Sequence, residues 1–476
     1  MLALSGAGKF AKASRSAFHG EMEYALASEA ELAVEITHHY SLADIESKQL
    51  DLLMDMVRWR TVPRFRIPGR TAWCELANSA RFRNRPNVEY RAAKIKGIGL
   101  WNPAGYLHSG VQQGQRSEQA IRPTSIEYEP LTRLRHFGVT KDGEFFDVGS
   151  NPTPYGGILH QRAVLEYSNA ARLLEHGVPS IGPLVVIRYP ELRFRDQPMG
   201  AVITLSTEQL PYRAHVDYIG EYGEAAKSYY LRLYEVLGID GDPQDPFVQW
   251  QAFRSVCQQI GGLIKGFAES GLYRYGAHLE NLHFDIDRGE LFLTDLDSSL
   301  RLDELPADVQ PLQVLRDVAS ALHKIALRLH YFVTLDRFSI AQIRSVDPFA
   351  AFLRGYFPKA AVELIDRAVE PFWLAAIPHL FLRKRLRNVM GTWDRERLRT
   401  YEVDRDVFYC LAMIKVFGFF AASSLGRRLL SGLTEDGIKQ RALRFLGPER
   451  FDYMTWLEQS RCDGPDPVAG TGKSNI

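Results

Sequence analysis

Apolar residues recur at helical spacing near the start of the chain. Ile45, Leu50, Leu52, Leu53 and Met56 share one side of a run that Ser41 and Asp44 open in the manner of a helix cap. Residues 1–60 are therefore expected to be helical. Residues 65–100 carry Gly, Pro and short apolar stretches, the pattern of strands, and residues 101–157 show no clean period and read as an insertion with loops. The segment HQRAVLEYSNAARLLEHGVPS predicts a helix, with Val164, Leu165, Ala170, Leu173 and Leu174 on its apolar side and Gly177 and Pro179 ending it. PLVVIRY and MGAVITL predict two strands. From about residue 215 the chain reads as helical, with one long helix through DPFVQWQAFRSVCQQIGGLIKGFAES that stops near Gly271, and helices again from Pro311 to about 460. The final DGPDPVAGTGKSNI is polar and is expected to be disordered.

One stretch interrupts the helical half. In YGAHLENLHFDIDRGELFLTDLDSS, Leu282, Phe284 and Ile286 alternate with polar residues, as do Leu291 and Leu293, and Asp287-Arg288-Gly289 supplies turn chemistry between them. This predicts a β-hairpin. The open ends of an antiparallel hairpin meet, so Asn281 before the first strand and Asp295 after the second converge. Oxygen ligands beside a nucleotide's phosphates suit magnesium. Protein kinases hold their metals with an Asn that closes the catalytic loop and an Asp after the next strand. Taken alone, such polar ends are more often plain turn residues.

Composition sets few limits. The chain has 476 residues, enough for several domains or one large two-lobed unit, and is 46% hydrophobic and 24% charged. With 58 basic and 57 acidic residues it offers no argument for a nucleic-acid or membrane-surface partner. Cys74, Cys257, Cys410 and Cys462 are too scattered for a zinc or redox pair, which fits free thiols in the cytoplasm. The N-terminus carries no apolar stretch of signal-peptide length. The apolar runs Phe372 to Leu382 and Leu411 to Phe420 are too short to span a bilayer and read as buried helices.

Two more charged residues matter through their order. Lys96 ends a short apolar strand, with Gly97 and Gly99 after it, and could reach a phosphate. Glu166, in the helix before Gly177, could pair with Lys96. Singly, each reads as an exposed charge. Together, the order of Gly-containing hairpin, strand Lys, helix Glu, two strands, long helix, Asn, hairpin, Asp and helix is that of kinase parts. Asp317 falls where kinases place a buried helical Asp that braces the catalytic loop. The kinase base, five residues before the metal Asn, is replaced by Gly276, and the short stretch from Asp295 to Asp317 leaves no room for a long activation segment.

These residues resemble the selenoprotein O family of pseudokinases. The resemblance covers about residues 65–325 and rests on Lys96-Gly97-Ile98-Gly99, Gln161 to Tyr167 with Gly177 to Ser180, Pro198 to Leu205, His278 to Leu282 and Thr294 to Asp297. It implies an ATP bound in reverse, with its α-phosphate toward the acceptor, and transfer of AMP to a hydroxyl rather than of phosphate. It implies that Lys96, with Gly97 and Gly99, lies at the phosphates, Glu166 positions Lys96, Arg213 clamps the inward phosphate, Asn281 and Asp295 bind Mg2+ or Mn2+, and Glu280 is the base. The family has Asp at the position of Glu280 and a first clamping Arg at that of Leu205. Cys462 resembles the family's C-terminal redox Cys, although no Cys lies between Cys257 and Cys410 to partner it.

The expectation is an α+β, two-lobed protein-kinase-like fold with a helical C-terminal extension. Its parts are a helical segment 1–60, an N-lobe 61–214 with the insertion at about 101–157, a helical C-lobe and extension 215–460, and a tail 461–476. The expected activity is magnesium-dependent adenylylation of a protein or small-molecule hydroxyl, with ATP as donor and neither nucleic acid nor a membrane span involved. Two other readings stay open. One is a small-molecule phosphotransferase with His278 or Glu280 assisting. The other is an ATP-binding pseudokinase scaffold without turnover. The terminal GTGKSN lacks the strand and helix of a phosphate loop, and His38-His39 has no ligand partner at metal spacing.

Overall fold

The structure is a computed structural model and describes residues 31–63, 69–101, 120–125, 127, 135–149, 152–154, 156–208, 231–242, 245–274, 281–332, 340–390, 403–430 and 432–460. The chain divides into two compact units, Met1–His136 with Asp147–Glu304, and Phe137–Phe146 with Leu305–Ile476. It is mixed α/β, with its sheet in the N-terminal part and a run of helices after it.

Strand β1 (Glu35–His39), β2 (Ala43–Asp44) and helix α1 (Ser47–Val57) begin the first unit. The paired strands β3 (Gly69–Phe82) and β4 (Arg85–Trp101) follow, then β5 (Ala120–Ile121). Strands β6 (Arg135–Val139) and β7 (Phe145–Gly149) form a separate two-stranded sheet. β8 (Ile158–Leu159), helix α2 (His160–Glu175), β9 (Gly182–Phe194) and β10 (Gln197–Ser206) complete the main sheet. Its antiparallel order is β1-β9-β10-β4-β3-β2, with β5 on β4 and β8 on β10.

Alternation along the strands explains how this sheet is covered. Ala93, Ile95, Ile203 and Leu205 join the apolar cluster that α1 completes with Leu53, Met56 and Val57. Val186 and Val202 point the other way and pack with Ile158 and with Ala163 of α2. Each such Val, Ile or Leu contributes about 1.5–3 kcal/mol on burial. β9 and β10 are thus apolar on both faces, which is why PLVVIRY and MGAVITL read as continuous apolar runs. Gly177, at φ 76°, ends α2 as predicted.

The start of the described chain corrects the helical expectation. Glu35–His39 is strand, because its backbone pairs with Val185 to Arg188 of β9. Among the described residues up to 60 the helix covers Ser47–Val57, its N-cap is Glu46, and Leu52 is 36% exposed rather than on the apolar side.

After β10, helix α3 (Pro246–Glu269) starts on Asp245, whose carboxylate accepts from the Phe247 amide, and ends before Gly271 at φ 79°. It leads to β11 (Leu272–Tyr273), β12 (Leu282–Asp285), β13 (Glu290–Leu293) and β14 (Leu300–Arg301). β12 and β13 form the predicted hairpin, in the register Leu282 to Leu293 and Phe284 to Leu291. Gln259 of α3 fixes it, donating to the Gly289 carbonyl and accepting from the Leu291 amide, both at 2.8 Å. Ile181 and Leu293 also exchange backbone contacts with Leu293 and Pro179, so β13 is tied to the linker between α2 and β9.

The second unit is helical. It contains α4 (Gln310–Phe332), α5 (Ile340–Ser345), α6 (Pro348–Tyr356), α7 (Val362–Met390), α8 (Arg405–Ala422), α9 (Ser424–Leu429), α10 (Glu435–Leu446) and α11 (Pro448–Gln459). The apolar runs at 372–382 and 411–420 fall in α7 and α8, and no described helix is long and apolar enough to cross a membrane. The segment read as a loop-rich insertion contributes Phe137–Phe146 to this unit. Gln313 and Arg316 of α4 donate to the Val139 and Phe137 carbonyls, and Arg441 of α10 donates to that of Gly143. Phe137 also packs against Phe145, Tyr409 and Phe445.

Candidate functional site

Lys96 and Lys94 project from the face of β4 opposite the α1 cluster, beside Val202 and Thr204 of β10. Helix α2 crosses that face and presents Glu166 to them. Lys96 Nζ lies 2.7 Å from Glu166 Oε2, and Lys94 Nζ lies 3.2 Å from Glu166 Oε1. Lys96 also donates to Asp295 Oδ1 and lies 3.2 Å from Asp297 Oδ2. The Lys96 and Glu166 side chains are 2% and 0% exposed, whereas that of Asp295 keeps 37%. The single-residue reading of Glu166 as an exposed helix charge is therefore corrected: the pair is interior, where removing one partner typically costs about 3–5 kcal/mol.

The loop after β13 is held by the same helix. Arg162, Glu166 and Asn169 recur along one stripe of α2. Arg162 donates to the Asp297 carbonyl at 2.8 Å, and Asn169 donates to those of Leu296 and Ser299 at 3.0 and 2.9 Å. The Thr294 amide and hydroxyl both donate to the Asn281 carbonyl at 3.0 Å, which closes the open end of the hairpin and brings Asn281 beside the Asp295 backbone. Asp295 itself sits at φ 60°, a left-handed conformation uncommon for a non-glycine residue and tolerated best by Asn and Asp.

Glu166, Asp295 and Asp297 place carboxylate oxygens within 4.8 Å of one another. Hard oxygen donors so spaced fit a divalent cation such as magnesium, and the Lys96 ammonium is the cation among them here. Beyond this cluster on the same unit, burial raises the Asp285 carboxyl above its usual range, and hydrogen bonding to the Arg288 amide offsets this in part.

Of the residues singled out in the sequence, Lys96, Glu166 and Asp295 meet directly, and Asn281 borders them. Gly97 and Gly99 follow in β4 at φ 84° and 126°. A Cβ at Gly97 would meet Ile158 Cγ1 at 2.6 Å and the Gly200 carbonyl at 2.7 Å, so packing within the sheet already requires glycine there. Leu205 points into the α1 cluster, on the face opposite the lysines. Arg213, Gly276, His278, Glu280 and Cys462 lie outside the described residues. Asp317, in α4, accepts from Arg316 at 2.8 Å. Two members of the cluster were not singled out from the sequence, Lys94 and Asp297. Each is two positions from a residue that was, and a period of two on a strand or extended loop was the signal.

No protein-family model matches the chain, and no curated protein matches it. Among solved structures it is similar to WaaP in complex with acyl carrier protein, at 15% identity over 54% of this chain and 87% of that chain, with a TM-score of 0.27. A likeness so slight defines neither fold nor activity for this chain.

Proposed function

We propose that this chain is a kinase-like, divalent-metal-dependent transferase that moves AMP from ATP to a hydroxyl acceptor. The observation that carries the reading is the buried Lys96–Glu166 pair meeting Asp295 at the end of the β12–β13 hairpin. A strand Lys held by a helix Glu, facing an Asp that follows the catalytic hairpin, is how kinases grip a nucleotide's phosphates and metal. The resemblance to the selenoprotein O family supports the choice of AMP over phosphate.

In this reading Lys96 binds phosphate and Glu166 keeps it aimed. Asp295 and Asp297, with Asn281 beside them, would hold the metal, which supplies positive charge against the phosphates when bound. Arg213 would clamp the inward phosphate. Glu280 directly precedes Asn281 and would accept the acceptor's proton. The acceptor oxygen forms a bond to the α-phosphorus, the bond from that phosphorus to the bridging oxygen breaks, and pyrophosphate leaves.

A second reading, phosphoryl transfer to a small molecule, is favoured by one observation. Leu205 lies on the core face of the sheet, so the first clamping Arg of the resemblance has no counterpart at that position. ATP labelled at the α- or the γ-phosphate separates the two. We expect label on the acceptor, or on the chain itself, from α-labelled ATP and none from γ-labelled ATP. The reverse result replaces adenylylation by phosphotransfer. Tight ATP binding with neither label transferred to any acceptor leaves a scaffold.

A further inference from the structure

Lys94 has no place in the functions assigned above, yet it is 6% exposed and belongs to the same cluster. It precedes Lys96 by one strand repeat on the same face of β4, about 6.5 Å away along the strand. It stands in register with Thr204 on one side and Trp73 on the other. In the kinase strand motif V-A-I-K, the position two before the Lys is an Ala. A small side chain there leaves room above the strand, whereas Lys94 fills that room with an ammonium.

Burying an ammonium is costly unless it is paired. Among the described residues Lys94 has one partner, Glu166 Oε1 at 3.2 Å, and an ammonium carries three donors. Lys94 adds a second ammonium to a carboxylate that Lys96 already engages, with two of its own donors left for a ligand.

We propose that Lys94 is a second phosphate-binding residue, and that a polyphosphate ligand lies along β4 across both Lys96 and Lys94. This rests on the ATP-dependent reading and narrows it. The part of the site above Lys94 takes an anion. Trp73 is the neighbour of Lys94 on β3, and its ring lies 5.6 Å from that of His283.

The test is calorimetric binding of ATP, inorganic tripolyphosphate and adenosine to the full chain with magnesium present. Wild type is compared with Lys94→Met, Lys94→Arg and Lys96→Met. We expect Lys94→Met to weaken ATP and tripolyphosphate by about 10- to 100-fold, the effect of one charge-assisted hydrogen bond. Adenosine binding should not change, and Lys94→Arg should keep most of the affinity. If Lys94→Met binds tripolyphosphate as wild type does while Lys96→Met does not, this proposal falls and the ATP reading stands. If the wild type binds neither ATP nor tripolyphosphate, both fall. An acyl-phosphate derivative of ATP, which acylates amines lying at its phosphates, gives a readout on wild-type protein should Lys94→Met not fold. Mass spectrometry should find the acyl group on Lys94 as well as on Lys96, and acylation that misses Lys94 overturns the proposal.

Discussion

Asp295 combines three properties. It has a left-handed backbone, a side chain 37% open to solvent, and an ion pair to a buried lysine. Strain of order 1–3 kcal/mol at such a position persists only when neighbours over-determine it, and here Thr294, Leu296 and Asp297 are all pinned, by Asn281, Asn169 and Arg162. If Lys96 binds phosphate as proposed, a pinned, solvent-open carboxylate beside it is suited to a metal that arrives with a nucleotide. We therefore expect Asp295→Ala to bind ATP without responding to magnesium or manganese, where the wild type binds more tightly with either. Titrating ATP with and without metal checks this, and an unaltered metal response in the variant would remove Asp295 from the metal site. Fold stability should fall little, since Lys96 keeps Glu166 and Asp297 as partners.

At the scale of elements, α2 is the part on which the site depends. One stripe of it carries Arg162, Glu166 and Asn169, and Ala163 beside that stripe packs with Val186 and Val202 of the sheet. Its first residue, His160, accepts or donates a hydrogen bond with Thr37 Oγ1 at 2.9 Å. Burial, and then the positive charges of His38 and Arg188, lower the His160 pKa below its usual 6.5. A cation at a helix N-terminus is unfavourable as well. The sign follows from linkage. The unfolded chain takes up the proton at higher pH than the folded one, so stability is full above the unfolded pKa and declines as pH falls through about 6.5 toward the lowered value. The His160→Gln variant should lose this part of the acid slope. Thermal melts between about pH 7 and 5 test it, and equal slopes for the two proteins would show that His160 does not titrate on unfolding.

At the scale of the whole molecule, Phe137–Phe146, from the segment read as an insertion, belongs to the helical unit. Phe137 and its hairpin tip form part of the core of the helical unit, with Phe137 only 1% exposed among Phe145, Tyr409 and Phe445. Chain that is distant in sequence thus completes the packing of α4, α8 and α10. Phe137→Ala should destabilise by about 3–5 kcal/mol through lost burial and the cavity left behind. A urea titration followed by far-UV circular dichroism would show this as a lower midpoint in the helical signal. A midpoint within experimental error of wild type would mean that the tip is not a working part of that core.

Local signals determined much of this protein without any structure. Gly177 and Gly271 marked helix ends because only glycine adopts their left-handed backbone at little cost. The period of two around Asp287-Arg288-Gly289 defined the hairpin, and an antiparallel pair of strands has to bring Asn281 and Asp295 together. The order of Lys96, Glu166, Asn281 and Asp295 was likewise legible, because a sequence of elements survives as a sequence of letters. Burial was not. Nothing local to Glu166 distinguishes a solvent-facing helix charge from one at 0% exposure, since that depends on which side of α2 the sheet covers. The strand at Glu35–His39 exists because β9 pairs with it, and the place of Phe137 among helical residues follows from contacts with residues far along the chain, Tyr409 and Phe445. Lys94 and Asp297 were visible as letters two positions from their better-known neighbours, but only the folded sheet and loop turned them inward onto one carboxylate and one ammonium. Short-range conformational preference is written in adjacent residues, whereas the pairing of buried charges is decided by whichever distant surfaces close over them.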